Sequence, residues 1–167
     1  MAPKIDDLKF FYSGAANVDD AQTDPSLSLG GNLSSSEVPN RNLNNIFSDI
    51  NLANSRAGMI DFRALFIKNT GAENFTKVTL FIKNYSVYVD KVYLGKDQVA
   101  GNTIQTISSS IEYPECVDFK IPGTSEYVDI GALNAGAARG IWFKRETPQL
   151  CPGGERVSFE IGIKGRY

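Results

Sequence analysis

Three carboxylates lie close together in the sequence, at Glu112, Glu115 and Asp118, and Tyr113 lies between the first two. Paired carboxylates perform acid–base chemistry in glycoside hydrolases, and grouped carboxylate oxygens also bind calcium. The neighbouring Pro114 indicates an ordinary solvated loop instead, since neither the spacing nor an aromatic platform is typical of a sugar cleft. We therefore favour the solvated loop over the hydrolase and the calcium site.

A second acidic group, formed by Asp19, Asp20 and Asp24, lies in a polar N-terminal segment. Calcium loops alternate their ligands and carry a glycine at the turn. The sequence Asp-Asp-Ala-Gln-Thr-Asp does not have this pattern, so we do not expect a metal site here.

The chain has no histidine, and this limits its chemistry more than any other feature. The absence excludes Ser-His-Asp and Cys-His catalysis and removes the commonest metal ligand. Cys116 and Cys151 are too few for a Cys-rich zinc site within one chain. We interpret them as buried free thiols or, in an oxidising environment, as a disulfide. We therefore expect no catalytic residue, no cofactor and no metal.

Length and charge favour a single soluble domain. The chain has 167 residues, of which 42% are hydrophobic and 22% charged, with a formal net charge of −2. Basic residues do not form a block, so we expect no nucleic-acid partner. Apolar stretches extend over only a few residues, which predicts no membrane span. The first residues lack an apolar signal core, so we expect a product made in the cytosol.

Segments typical of strands follow one another from about residue 58 onward, and no helix of crossover length separates them. This spacing favours an antiparallel sandwich or barrel over a parallel α/β sheet. The expected strands span residues 61–69, 75–84, 87–94, 103–111, 117–121, 140–145 and 156–164.

A local pattern supports an immunoglobulin-like sandwich. Leu133, a glycine-containing turn and a strand with Trp142 follow in order, as commonly seen at a corner between the sheets of such domains. We expect strand 140–145 to pair with 62–69 or with 157–164. The predicted fold is therefore an all-β, antiparallel, immunoglobulin-like β-sandwich.

The first 57 residues differ in composition and are rich in Asn, Ser, Asp and Gly. We predict an extended N-terminal arm over residues 1–57, with one strand at 8–12, and a sandwich domain over 58–167. Apolar residues at i, i+3, i+4 and i+7 predict a short helix near 42–50 in the arm; they are Leu43, Ile46, Phe47 and Ile50.

Four apolar residues of this arm argue against pure disorder. They are Leu27, Leu29, Leu33 and Val38. Apolar anchors in a polar segment dock onto the same domain or onto a neighbouring subunit, so we take these four as candidate partner contacts.

Scattered tyrosines leave a second function open. A row of exposed aromatic side chains on a sandwich binds sugars or packs against a partner protein. Tyr85, Tyr88 and Tyr93 do not share one face of a strand, which weakens the sugar platform. A carbohydrate- or receptor-binding module remains the alternative hypothesis.

From residue 9 to residue 145 the chain resembles a group of tailed-bacteriophage virion proteins. The motifs, in order, are S-G-x-x-N from Ser13, D-P-x-x-S-L-G-G-x-x-S-S from Asp24, N-N-x-F from Asn44, F-R-x-x-F-x-K-N from Phe62 and W-x-K-R from Trp142. The resemblance implies a multi-copy, non-enzymatic virion protein with an immunoglobulin-like sandwich. Such a protein is made in the host cytoplasm and binds capsid, neck or tail subunits, for example as capsid decoration.

Overall fold

The computed structural model describes residues 2–85, 90–121, 126–150 and 158–167. Its nine strands, in chain order, are β1 (Leu8–Ala15), β2 (Gly30–Glu37), β3 (Met59–Asn69), β4 (Phe75–Tyr85), β5 (Lys91–Ala100), β6 (Thr103–Thr106), β7 (Val128–Leu133), β8 (Ala138–Thr147) and β9 (Phe159–Arg166). One α-helix, α1 (Leu52–Ala57), and two short 3-10 helices, Ile5–Asp7 and Pro25–Leu27, complete the described elements.

The strands form two sheets. A six-stranded sheet has the order β5-β8-β3-β1-β2-β6, and a three-stranded sheet has the order β7-β4-β9. Every strand pair is antiparallel. The predicted all-β antiparallel class is confirmed, and its immunoglobulin-like character stays a prediction.

The two sheets pack face to face around the larger hydrophobic cluster. Leu65 and Ile67 of β3 lie in this cluster with Leu80 and Ile82 of β4. Successive side chains of a strand point to opposite faces of its sheet. The residues of β3 that alternate with Leu65 and Ile67 therefore point away from the three-stranded sheet. Phe62, Ala64 and Phe66 of β3 lie in a second cluster on the other face of the six-stranded sheet.

The segment that follows β6 covers this second face. Ile107, Val117 and Phe119 of that segment pack in the second cluster with Trp142 of β8 and Leu33 of β2. The six-stranded sheet is therefore the middle layer, and its central strands are buried on both faces. This explains why strand segments 61–69 and 140–145 carry apolar side chains on both faces.

The predicted N-terminal arm is corrected to two strands of the sheet. β1 pairs with β3 on one side and with β2 on the other, and β2 also pairs with β6. Leu8 and Tyr12 of β1 are buried in the larger cluster. Of the predicted arm, the described residues 2–57 therefore belong to the sandwich rather than extending from it.

The predicted helix at 42–50 is not present, and the helix instead spans Leu52–Ala57. Arg41 and Asn44 have φ angles of 63° and 55°, which interrupt a right-handed helix. Ile46 and Phe47 are buried in the larger cluster, so the apolar stripe marks packing rather than helical periodicity.

Strand predictions elsewhere differ in extent. Segment 140–145 pairs with β3, which confirms the first of its two expected partners. Segment 103–111 is strand only to Thr106, and 117–121 contributes a single bridge between Leu94 and Lys120. β2 and β7 were not predicted. Residues 86–89 and 151–157, which include parts of two expected strands, lie outside the described residues.

We expect that deleting residues 1–57 abolishes cooperative folding, because the deletion removes β1 and β2 from the interior of the six-stranded sheet. Thermal unfolding followed by circular dichroism checks this expectation. A control deletion of residues 2–3, which precede the first described element, should keep the transition. A cooperative transition in the 58–167 fragment would contradict the integral role of β1 and β2.

Candidate functional site

A buried ion pair joins the two central strands. Asp61 of β3 and Arg145 of β8 are direct cross-strand partners. The Nε and Nη2 atoms of Arg145 donate to Asp61 Oδ1 and Oδ2 at 2.8 and 2.9 Å. Both side chains are buried. This two-bond geometry is the strongest form of an arginine–carboxylate contact.

Arg145 also holds the chain that leads into α1. Its Nη1 atom donates to the carbonyl oxygen of Ser48 at 2.9 Å. Its guanidinium carbon lies 4.7 Å from the centre of the Phe47 ring, and that of Arg63 lies 5.9 Å away. Cation–π contacts of this kind are stronger where water is excluded. Phe47 is thus fixed by two arginines that extend from the central strands.

We call residues 39–57 the anchored segment. Ile46 and Phe47 of this segment are buried. The Tyr12 hydroxyl also holds the segment, since it donates to the carbonyl oxygen of Asn45 at 2.9 Å. Two leucines point away from this anchor, since Leu43 is 66% exposed and Leu52 is 64% exposed. A loop that a rigid scaffold holds and that presents apolar side chains to solvent is typical of a binding surface.

The residues predicted to contact a partner separate into different environments. Leu33 is 0% exposed and lies in the second cluster, so the structure contradicts a contact role for it. Leu29 packs on the same cluster and Val38 on the larger one. Leu27 is 56% exposed and alone among the four keeps the surface position that a partner contact needs.

Polar side chains order the long loop between β1 and β2. Gln22 Nε2 donates to the Ser13 carbonyl at 2.5 Å, and the Gln22 amide donates to Ser34 Oγ at 2.9 Å. Ser13 Oγ donates to the Ala64 carbonyl of β3 at 2.7 Å. Since these groups are buried and partnered, the loop needs few apolar residues to hold its course.

Gly14 shows how closely this loop approaches β1. A Cβ atom at Gly14 would lie 2.1 Å from the carbonyl oxygen of Leu27, and the φ angle is 86°. Only glycine tolerates this combination of contact and backbone conformation. The Ser-Gly motif at this point therefore has a structural role.

A second buried carboxylate binds the only tryptophan of the chain. Asp97 Oδ2 accepts from Trp142 Nε1 at 2.7 Å and from Gln105 Nε2 at 3.0 Å, and Asp97 Oδ1 accepts from the Val99 amide at 2.8 Å. The network connects β5, β6 and β8. The sequence did not indicate Asp97 or the Asp61–Arg145 pair, because cross-strand partners lie far apart along the chain.

The predicted acidic group at 112–118 forms a solvated loop, as we favoured. Glu112 accepts from the Ser108 amide and hydroxyl at 2.7 and 2.6 Å, and Asp118 pairs with Lys120 at 2.6 Å. The carboxylates therefore bind different local partners. Among the residues that the structure describes, no group of three or more His, Cys, Asp or Glu side chains is arranged to hold a metal ion.

The N-terminal aspartates have local structural partners. Asp20 Oδ2 accepts from the Asn17 amide at 3.1 Å, and Asp24 Oδ1 accepts from the Ser26 amide at 2.8 Å at the start of a 3-10 helix. Asp19 Oδ1 lies 3.4 Å from Lys68 Nζ. These contacts are turns, a helix cap and a surface ion pair.

The cysteine prediction is tested for one residue. Cys116 carries a free thiol and is exposed, which contradicts the expected buried thiol. Cys151 lies outside the described residues.

Two of the exposed tyrosines, Tyr113 and Tyr127, lie on opposite outer faces of the sandwich. Tyr113 packs edge-on against Phe62 of the second cluster, with ring centres 4.5 Å apart. Tyr127 packs against Phe81 of β4 at 5.4 Å. Tyr88 lies outside the described residues. Two tyrosines on opposite faces do not serve one sugar platform.

Two of the grooves on the described surface are open clefts. The larger, of about 570 Å³, begins at Gly58 where the anchored segment ends and is lined further by Met59, Lys91, Glu146 and Pro148. The other, of about 320 Å³, lies between β7 and β8. The larger groove begins where the anchored segment ends and has a mixed polar and apolar wall, as interface rims have.

Burial shifts the pKa of charged groups near the ion pair. Burial raises the pKa of Asp90, and nearby Asp61 raises it further, while a hydrogen bond and Arg145 act in the opposite direction. Burial lowers the pKa of Arg63, although Asp61 opposes this shift. These shifts indicate that the region around the ion pair is poorly hydrated.

Comparisons with known proteins gave no match. No family model, no curated protein and no solved structure is significantly similar to this chain. No helix among the described residues is both long and apolar enough to cross a membrane.

We expect the Arg145→Ala variant to lose about 3–5 kcal/mol of unfolding free energy, since it leaves Asp61 buried without its partner and releases Ser48. Urea denaturation measures this loss. The exposed Arg56 of α1 provides the matched control, and Arg56→Ala should change stability by less than about 0.5 kcal/mol. Equal effects of the two substitutions would contradict the anchoring role of Arg145.

We expect Asp90→Asn to stabilise the protein at neutral pH. The pKa of Asp90 is raised in the folded state above its ordinary value of 3.8, mainly by burial, so the folded protein binds this proton more tightly than the unfolded chain. This tighter proton binding contributes its full stabilisation below about pH 3.8, and the contribution is lost as pH rises through the raised pKa of the folded state. Asparagine does not ionise, so the variant does not bury a charge at this position at neutral pH.

Urea denaturation as a function of pH measures the effect of Asp90→Asn. The control is Asp129→Asn, because the hydrogen bond from Lys77 lowers the pKa of Asp129. This control should destabilise at neutral pH and have no effect in acid. A gain from Asp90→Asn that is independent of pH would show that its cause is not titration.

Proposed function

We propose that this chain is a non-enzymatic structural protein of a tailed-bacteriophage particle, where it binds neighbouring subunits of the capsid, neck or tail. The observation that carries this proposal is the anchored segment. A rigid scaffold fixes its Phe47 and Ser48, and it displays Leu43 and Leu52 to solvent.

The energetics of the anchored segment favour a protein partner. A leucine side chain that moves from water into an interface contributes roughly 1.5–3 kcal/mol. Because the Arg145 contacts already order the loop, binding carries a smaller cost in conformational entropy. Many copies in one particle then add modest contacts into stable attachment.

The sequence motifs that resemble phage virion proteins support the same proposal, since several of their residues stabilise the sandwich. The Ser13 carbonyl accepts from Gln22 of the loop between β1 and β2, and Gly14 lets that loop approach β1 closely. Phe62 and Trp142 fill the second cluster, and Arg145 holds the anchored segment. A likeness in such residues concerns the frame of the protein, which suits a virion component whose function is attachment.

The test is incorporation of the doubly substituted Leu43→Ser, Leu52→Ser protein into particles of the phage that encodes the chain. If both leucines are buried at the interface, affinity should fall about 100-fold or more. Copies per particle, counted by quantitative mass spectrometry, should drop accordingly. The matched control is Ile111→Ser, since Ile111 is equally exposed on the loop after β6.

Two outcomes would overturn the proposal. Full incorporation of the double variant would show that the anchored segment is not part of the interface. Absence of the wild-type chain from particles, together with binding to cell-surface glycans on an array, would favour the carbohydrate- or receptor-binding module.

A further inference from the structure

The four strand edges of the two sheets differ in how they are protected. β5 is bridged at Leu94 by Lys120, β6 has only four residues, and β7 has an irregular register and a glycine with a φ angle of 83° at Gly131. Short, bulged or covered edges resist pairing with another chain. The outer edge of β9 lacks these protections within the described residues.

β9 is long and regular. It has eight residues, contains no proline, and pairs with β4 on one side, while no other described strand pairs with its outer side. The register irregularity in that pair lies at Lys83 on β4. An unpaired edge of this length presents a row of backbone donors and acceptors to another strand.

The apolar face of β9 is also incompletely covered. Phe159, Ile161 and Ile163 pack on the larger cluster but are only partly buried. At the end of the strand Tyr167 is 78% exposed. The exposed Ile5 lies beside Gly165, with its Cδ1 3.0 Å from the position of a Cβ there. Another strand at this edge would cover these side chains.

The sequence of β9 complements itself when two copies run antiparallel. In a pairing centred on Ile163, Ile163 faces its own symmetry mate and Glu160 faces Arg166. Phe159 then faces Tyr167, and Ile161 faces Gly165 beside Ile5. The Ile163 pair lies on the axis and occurs once, and each of the other pairs occurs twice. Cross-strand aromatic, apolar and opposite-charge pairs all stabilise sheets.

Other two-fold registers are less favourable. Centring on Glu160 or on Lys164 places like charges directly opposite each other. Centring on Gly162 pairs Glu160 with Lys164 but places Arg166 opposite Ser158, so it forms no charge pair for Arg166. The described residues provide no ion pair for the Arg166 side chain, which is exposed. Charge complementarity therefore favours the register centred on Ile163.

We propose that two copies of this chain dimerise by antiparallel pairing of their β9 edges about a two-fold axis at Ile163. The dimer joins two three-stranded sheets into one six-stranded sheet with the order β7-β4-β9-β9-β4-β7. The inference deepens the proposed function and rests on it, because it names a second copy as one of the neighbours bound in the particle.

Sedimentation equilibrium of the full chain tests the proposal by charge exchange. Glu160→Arg places two arginines opposite each other at both ends, and Arg166→Glu places two glutamates there. Each single substitution should raise the dimer dissociation constant about tenfold or more. The double variant Glu160→Arg, Arg166→Glu restores opposite charges and should restore the wild-type constant to within about threefold.

The matched control is Glu126→Arg, an exposed charge reversal before β7 at the other edge of the same sheet. It should leave the dissociation constant unchanged. Glu160 also pairs with Lys83 at 2.9 Å, so thermal unfolding must show that each variant is folded. If Glu160→Arg does not fold, Arg166→Glu alone decides, because its expected effect is the same.

Hydrogen exchange locates the contact within the chain. Amides of residues 158–167 should become more protected as wild-type concentration rises, and those of Glu160→Arg should not. A wild-type chain that remains monomeric at all concentrations, or a double variant as weak as the single ones, would overturn the β9 dimer. Incorporation of a monomeric chain into particles would leave the proposed function standing, whereas a dimer absent from particles would refute only that function.

Discussion

The pair between Asp61 and Arg145 fixes the arrangement on which the remainder of the sandwich depends. These residues face each other across β3 and β8. A slip of two residues would place Asp61 opposite Phe143 or Thr147 and leave two buried charges without partners, which is strongly unfavourable. The observed register is therefore favoured mainly because shifted registers would bury unpaired charges, and less because of the strength of the ion pair itself.

That register determines both hydrophobic clusters at once. β3 and β8 each contribute side chains to the two faces of the six-stranded sheet, so a misaligned pair would disturb packing against the three-stranded sheet and against the segment after β6. The same arginine reaches beyond the sheet to Ser48. The position of the displayed leucines is thus coupled to the innermost contact of the fold.

The sequence predicts several apolar strands correctly and gives no signal for β2, which polar contacts hold in the sheet. Segments 61–69, 75–84 and 140–145 are apolar enough to be recognised as strands, and the structure has β3, β4 and β8 there. β2 has the sequence Gly-Gly-Asn-Leu-Ser-Ser-Ser-Glu, with one large apolar residue, and gives no alternating signal. Its Ser34 side chain is hydrogen-bonded to the backbone of Gln22 in the neighbouring loop, which helps to hold β2 within the sheet.

Binding surfaces were harder to predict than strands, for a related reason. Leu33 and Leu27 have the same chemistry in similar polar surroundings along the chain, yet one is buried and the other is exposed. Only the pairing of β2 with β1 and β6 distinguishes them. The Leu43–Ile50 stripe was likewise correct in marking buried residues, Ile46 and Phe47, and wrong about the helix.

The environment of Trp142 gives the protein an internal optical reporter. It is the only tryptophan of the chain, it is fully buried, and its indole N–H is bonded to Asp97. Fluorescence emission from such an indole is shifted to the blue and shielded from dissolved quenchers. Because Trp142 lies inside the second cluster, away from the exposed leucines and from β9, its emission registers loss of the whole fold and is insensitive to what binds at the surface.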